Sequence, residues 1–396
     1  MAQASAHKLS YITESSVGVT PTNPRWQRLP DTRTTLNLTR DNLQSSRIQG
    51  NRFPAEPRQG ASSVAGEIPT DLSAETYDDF LAAALRGDWT DITVGLDQVD
   101  ISQDGAAAVT SDVGDTFATT NGTVTVERVS AKEEEAVLIY QATGSDTFTT
   151  FSYFGDQTLT IDGETFALSN YAHNVDSAVV KVGEVRKSFS ILREFSDLGG
   201  TPAKPFIVYR GCEISQMTIQ ATSNSLATCS FTFLGQDATA PAENAPANSN
   251  YKPAVDSQVF DTFSGAMEID GVEKCIVTDY NLTIDNGLQP RYTVGCQGSL
   301  SPEVGQSNVT GSLTLYFEDA TIYEKYINDE KLALKLTLQD GLNNKRIINL
   351  PNLRLLPGTQ PDVTEDGSIT LAVSFSAHYD STEDSHVSIT RISEAA

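Results

Sequence analysis

Carboxylates are the commonest reactive groups in this chain, with 52 Asp and Glu against 27 Lys and Arg and four His. Paired acids such as Asp78/Asp79, or the run Glu133–Glu135, are the residue types that general acid–base or glycosidic chemistry requires. Their spacing argues against that use. Adjacent acids on a helix point in different directions, and Lys132-Glu133-Glu134-Glu135 reads as a solvated turn. His7, His173, His378 and His386 are scattered, and Cys212, Cys229, Cys275 and Cys296 contain no CxxC spacing. Neither set makes a metal site. The four cysteines are expected to be small buried apolar residues in a reducing compartment. No Ser/His/Asp or Cys/His ordering stands out, and the glycine-rich phosphate loops are absent. The expectation is a chain without catalytic residues, metal or cofactor.

The charge pattern points to partners instead. A net charge of −25 excludes a broad basic surface for nucleic acid. Between Arg25 and Gly60, however, seven arginines face only Asp31, Asp41 and Glu56, so this segment is basic on an acidic body. Such an arm can dock on another copy of that body. Its loop, 41–60, carries Arg47, Arg52, Phe53 and Arg58 as candidate contact residues. The corresponding later loop, 285–304, offers Arg291 and Tyr292. No apolar run is long enough to cross a bilayer, and the first residues lack the apolar core of a secretory signal. Folding in a cytoplasm, with no membrane partner, is expected.

The elements that would position these loops are written twice. NLTRDN (37–42) returns as NLTIDN (281–286), Arg47 as Arg291, GASSVAG (60–66) as GQSNVTG (305–311), and TYDDF (76–80) as IYEKY (322–326). The order is kept and the offset drifts only from 244 to 246, which signals an internal duplication. Val309, Gly311, Leu313, Leu315 and Phe317 alternate with polar residues, as do Val64, Ile68 and Leu72 in phase, so both read as half-buried strands. Pro69 demands an edge or a bulge. A short helix should follow each strand. Ser73 would cap the first and Gly87 stop it, with Tyr77, Phe80, Leu81, Ala84 and Leu85 on one face. Asp319 would cap the second, with Ile322, Tyr323, Tyr326 and Ile327 as its apolar stripe.

CSFTF (229–233) resembles VSFSA (373–377), with Phe231 against Phe375, at an offset of only 144. The first copy must therefore hold an insertion of about 100 residues between helix and closing strands. From Asp88 to Arg186 the chain reads as short strands separated by Asn-Gly and Asp-Gly turns, enough for a small all-β domain. The Ala-, Pro- and Asn-rich stretch 237–253 reads as a linker between copies. The expected organisation is a first unit at 1–90, an inserted β domain at 91–184, closing strands at 185–240, a linker at 241–256 and a second unit at 257–396.

The opening LSYITESSVGVTPTNPRWQRLP, the loop ending RQGASSVAGEI, TYDDFLAAALRGDW and RGCEISQMTIQ, in that order, resemble the tail tube (major tail) proteins of long-tailed, non-contractile phages. The likeness runs through 9–240 and 256–390 and is weaker in the insertion. It implies a mainly β fold: two tandem tail-tube-type β-sandwich units, each with a short flanking α-helix, plus a small inserted all-β domain. It also implies a virion protein, assembled in the host cytoplasm as stacked trimeric, pseudo-hexameric rings. Those rings would form a hollow conduit for genome DNA during ejection. Implied partners are other copies of the chain, the tape measure, terminator and distal tail proteins, and double-stranded DNA in transit without specific binding. The alternatives are another tail component of distal or baseplate type, and a cell-surface or carbohydrate-binding β protein.

Overall fold

The computed structural model describes all residues except 1–5, 31–32, 46–55, 92–97, 104–108, 112–115, 120–121, 132–135, 142–148, 154–156, 162, 173–175, 256, 296–297, 319, 343, 358–359, 363–368 and 394–396. Two compact units are present: 1–89 with 179–390, and 90–178 with 391–396.

In the larger unit, the first half contains β1 (His7–Thr13), β2 (Arg25–Arg28), β3 (Asn37–Leu43), β4 (Arg58–Asp71), α1 (Asp78–Leu85), β5 (Phe189–Phe195), β6 (Phe206–Thr222) and β7 (Thr228–Gly235). The second half contains β8 (Asp261–Ile269), β9 (Val277–Asp285), β10 (Asn308–Tyr316), α2 (Thr321–Ile327), β11 (Leu332–Gln339), β12 (Lys345–Leu355) and β13 (Thr370–Ala377). Strict alternation sets these strands. Every second residue of β7 and of β11 is buried, because a pleated strand sends successive side chains to opposite faces.

The pairing runs β3–β4–β7–β6 in the first half and β9–β10–β13–β12 in the second, antiparallel throughout. Residues 216–222 of β6 pair with 279–285 of β9, so the two halves share one continuous sheet. The earlier part of β6 leaves this sheet at a register shift near Ile214 and pairs with β5, which pairs with β1. In the same way β12 pairs with β11, and β11 with β8. Each half is therefore two packed layers around an apolar interior.

The ladders refine the sequence correspondence. Phe233 lies opposite Gly66, and Phe375 lies opposite Gly311. Phe233, rather than Phe231, thus occupies the place of Phe375. The two-residue difference keeps the side chain on the same face. Both glycines are required, for separate reasons. A Cβ on Gly66, at φ +154°, would lie 2.5 Å from the Leu36 backbone, and one on Gly311 would lie 2.4 Å from the Phe375 ring. Pro69 is tolerated because β3 pairs with β4 only up to Ala65. Thr35 still bonds Glu67 on that side, and at Pro69 itself the ladder partner is Ser230 of β7.

The helices differ from expectation. Ser73 does not cap α1; its hydroxyl donates to Thr76 Oγ1 at 2.9 Å, and the helix begins only at Asp78. It ends where Arg86 turns left-handed, with the Gly87 N–H on the Ala82 carbonyl. Gly87 itself is needed because a Cβ there would meet the Lys181 carbonyl at 2.2 Å. The chain leaves α1 at this point and returns at Gly183, whose N–H bonds the Leu85 carbonyl at 3.0 Å. All of α1 but Asp79 is buried, whereas Ile322 alone is buried in α2, and Ile327 is 62% exposed. The expected apolar stripe of α2 is thus only partly covered, with Ile322 buried, Tyr323 and Tyr326 half-buried and Ile327 exposed, and its proposed cap, Asp319, lies outside the described residues.

Phe80 anchors the first core. Its ring lies 4.6 Å from Tyr11, 5.1 Å from Phe189, and 5.4 Å from both Phe231 and Phe233. Burial in this cluster pushes the Tyr77 phenol up to about 12. The segment 237–253, expected as a linker, is docked rather than free. Residues 250–252 run parallel to 25–27, and Trp26 Nε1 donates to Ser249 Oγ at 2.9 Å.

The smaller unit holds two four-stranded antiparallel sheets. One comprises 116–119, 122–131, 136–141 and 149–153; the other 98–103, 109–111, 157–161 and 164–172. Leu159, Ile161 and Phe166 are buried, with Phe117 edge-on to Phe166 at 5.9 Å.

Truncating Phe80 to Ala should cost about 3–5 kcal/mol, and Gly311→Ala about 1–3 kcal/mol through the forced shift of Phe375. Urea unfolding of the unassembled chain measures both.

Candidate functional site

The tempting carboxylates are used for structure. Asp78 and Asp79 sit on successive residues of α1 and face apart. Asp78 Oδ1 accepts from Arg346 Nη2 at 2.6 Å, while Asp79 Oδ2 accepts from the Tyr11 hydroxyl at 3.0 Å. Glu14 is buried and accepts four bonds, from the Gly18 and Gly211 N–H groups and the Ser188 and Ser190 hydroxyls, at 2.7–3.0 Å. A carboxylate so fully engaged has no lone pair aimed at a substrate. The run Glu133–Glu135 lies outside the described residues. Cys212 and Cys229 are buried, as expected, and burial raises both thiols, which makes them poor nucleophiles. Cys275 is exposed, against expectation, and Cys296 lies outside the described residues. Among the described residues no group of three His, Cys, Asp or Glu could hold a metal ion, and no helix is long and apolar enough to cross a membrane.

What the fold builds instead is a broad sheet with one face in the core and one face open. On the open face β4 presents Ser63, Ala65 and Glu67, and β7 presents Thr228, Ser230 and Thr232. The second part of β6 adds Gln216, Thr218 and Gln220; β9 adds Asp279, Asn281, Thr283 and Asp285. Thr310, Ser312 and Thr314 of β10 and Ala372 and Ser374 of β13 complete the row. Cross-strand contacts hold it together, including Ser230 Oγ to Glu67 at 3.3 Å and Thr218 to Thr283 at 3.4 Å. At these positions every charge is acidic. A hydrated face of hydroxyls, amides and carboxylates offers phosphates nothing to pair with and repels them.

The sheet also ends in two unpaired edges. Among the described residues, strand β3 pairs only with β4, and residues 360–362, which continue the line of β12, pair only with β13. Each presents a row of backbone donors and acceptors ready to template another strand.

Between the halves the junction is polar and buried. Arg346 is 2% exposed, with its guanidinium over the Trp89 and Phe260 rings at 5.6 and 5.9 Å. Asn286 Nδ2 donates to the Ala84 carbonyl at the end of α1 and to the Ile214 carbonyl, at 2.9 and 3.2 Å. Arg186 grips Glu213 through both carboxylate oxygens at 2.8 and 2.9 Å and reaches the Pro302 carbonyl at 2.6 Å. The bidentate grip of Arg186, which is half-buried, and the buried stacking of Arg346 fix orientation between the halves as well as distance.

Of the residues singled out from sequence, Arg47, Arg52 and Phe53 lie outside the described residues. Arg58 is exposed at the start of β4, opposite Leu43. Arg291 and Tyr292 are exposed beside a short hairpin of 289–291 with 300–303, where Arg291 Nε donates to the Ser301 carbonyl at 3.1 Å. Sequence reasoning passed over Arg346, Asn286 and Glu14, whose partners are 268, 202 and up to 197 residues away. The alternating Ser and Thr of the open face were legible; which face of the sheet remained open was not.

Arg346→Met should destabilise the chain by about 3–5 kcal/mol, because it strands a buried carboxylate. Adding Asp78→Leu should recover part of that loss. A double-mutant cycle on chemical unfolding should give a coupling of about 1–3 kcal/mol.

Comparison with known proteins agrees with the architecture. The phage tail tube protein family matches residues 4–377. No curated protein matches the chain. With a match across nearly its whole length, and a mainly β fold built on one broad sheet, this chain belongs to the phage tail tube protein family.

Proposed function

We propose that three copies of this chain close into a ring, that rings stack into the tail tube, and that the bore conducts genome DNA during ejection. The family supports a structural role in the tail tube, self-assembly with other tail proteins, and a place in the virion. The finer reading rests chiefly on one observation: the two halves repeat the same strand order within one continuous sheet that has an open edge at each end. That repetition supports a duplicated tube unit, with 90–178 as an insertion in the first copy.

The in-chain pairing of β6 with β9 offers a template for ring closure. By the same geometry, β3 of one copy would pair with the 355–362 edge of the next. Head-to-tail contacts of this kind close into a ring when the rotation divides a circle. Each chain supplies eight strand positions, so three supply about 24. Spaced about 4.8 Å apart and tilted by about 40°, they close at a backbone diameter of roughly 45 Å. A DNA duplex fits inside once side chains are added. The open acidic face would line this bore, where repulsion of phosphates lets DNA pass without sticking.

The loop 41–60 is the proposed axial contact, with Arg47, Arg52, Phe53 and Arg58 docking on the acidic body of the next ring, and Arg291 and Tyr292 at the corresponding place in the second half. Exposed ion pairs contribute only about 0–1 kcal/mol each, so Phe53 and threefold repetition carry the stack. The tape measure, terminator and distal tail proteins are the expected partners at the tube's core and ends. The role is structural and calls for no cofactor.

Averaged electron micrographs of the concentrated protein should show hollow tubes whose rings have threefold symmetry and six similar lobes. Monodisperse monomers under all conditions, or rings of six chains, would overturn the reading. Reversing Arg47, Arg52 and Arg58 to Glu should leave rings but abolish stacking. Replacing 92–177 by a short Gly/Ser linker should leave assembly of tubes intact.

A further inference from the structure

The two helices occupy matching places in their halves, yet only one is covered. Phe80 of α1 packs on Tyr11 and Phe189. Ile322 of α2 lines a cleft of about 270 Å³ with Ile269 and Leu332, which hold the corresponding positions in β8 and β11. By this packing Phe80 matches Ile322 and not Tyr326, four residues away from the match of TYDDF with IYEKY, and Leu85, 1% exposed at the end of α1, aligns with Ile327, 62% exposed at the end of α2. The difference comes from the neighbour. Beyond α1 stands the second half, whose Asn286, immediately after β9, donates to the Ala84 carbonyl at the helix end. Beyond α2 the Asp329 N–H of the following turn reaches the Tyr326 carbonyl at 3.3 Å, and among the described residues no side chain from another element is seen to bond a carbonyl of the helix end.

We propose that the C-terminal end of α2 is the seat of a second copy's β3, and that Leu43 and Arg40 of that copy cover Ile327 as Asn286 covers the end of α1. The inference rests on the head-to-tail ring described above. The ladders identify the occupant. Asn37 pairs with Ala65 and Thr283 with Thr310, and Ala65 and Thr310 hold matching places opposite β7 and β13. Thr283 thus corresponds to Asn37 and Asn286 to Arg40, two residues away from the match of NLTRDN with NLTIDN, which sets Asn286 against Asn42. Strand β3 of the next copy therefore brings Arg40 and Leu43 to the helix end in the role that Asn286 plays within the chain.

The chemistry fits. Leu43 is 60% exposed, an apolar side chain of the size that Ile327 can pack against. Arg40 is exposed, and a cation suits the carbonyl-rich end of a helix. Glu324, one turn before Ile327, is exposed beside it and supplies a counter-charge on the same helix face. No equivalent acid is needed on α1, whose partner is a neutral amide.

The test places cysteines at both positions, Leu43→Cys and Ile327→Cys, in a Cys275→Ser background, and oxidises assembled tubes mildly. Dimers and closed trimers linked by disulfide should appear on non-reducing gels from the double variant and from neither single variant. A second variant, Ile327→Glu, changes only an exposed side chain. It should leave the thermal unfolding of the free chain unchanged while lowering tube yield at least tenfold. Tubes of normal symmetry without the 43–327 cross-link, or Ile327→Glu tubes in normal yield, would overturn this contact. Failure of the unmodified chain to form rings at all would instead overturn the reading on which it rests.

Discussion

An antiparallel sheet that runs unbroken through both halves of a chain must still stop somewhere, and each stop leaves a row of backbone N–H and C=O groups unpaired. Those two edges are the constraint around which this molecule is arranged. The join of β6 to β9 shows how such an edge is satisfied within the chain: seven consecutive residue pairs from Gln216 to Thr222, backed by buried polar contacts on the core side. A soluble protein that kept its outer edges bare would aggregate, unless the edges were blunted or matched to each other. Here β3 and the 360–362 strand are left open in complementary senses, one at the start and one at the end of the same sheet.

The core follows from that join. Because the halves share a sheet, their interiors merge, and α1 lies trapped between its own layer of aromatic rings and the next half's Arg346 and Asn286. Burying Arg346 and Asp78 together is expensive in desolvation and gains little net stability over apolar packing. What it gives is direction, since a bidentate or stacked guanidinium tolerates little rotation. The angle between the two halves is thereby fixed within the single chain.

The open face carries the other half of the design. Short hydroxyl and amide side chains satisfy β propensity without apolar exposure. The interspersed carboxylates Glu67, Asp279 and Asp285 set the sign of the local potential. The chemically suggestive carboxylates are taken up elsewhere: Asp78 by Arg346, Asp79 by the Tyr11 hydroxyl, and Glu14 by two N–H groups and two serine hydroxyls.

The amino-acid sequence by itself determined the strands, through alternation in stretches such as Ala227–Phe233 and Val309–Phe317, the repeated order of blocks, the basic arm and the acidic body. These are local properties, set by side-chain periodicity and composition within a few residues. Tertiary structure decided the rest. It set Phe375 opposite Gly311 and Phe233 opposite Gly66, so that Phe233 became the counterpart, because cross-strand register is fixed between distant segments and short local identities do not encode it. It moved the start of α1 from Ser73 to Asp78, because Ser73 was drawn into a bridge with Val259. It also buried one helix and exposed the other, although both carry an apolar stripe, since burial depends on what stands beyond the helix and not on the helix itself.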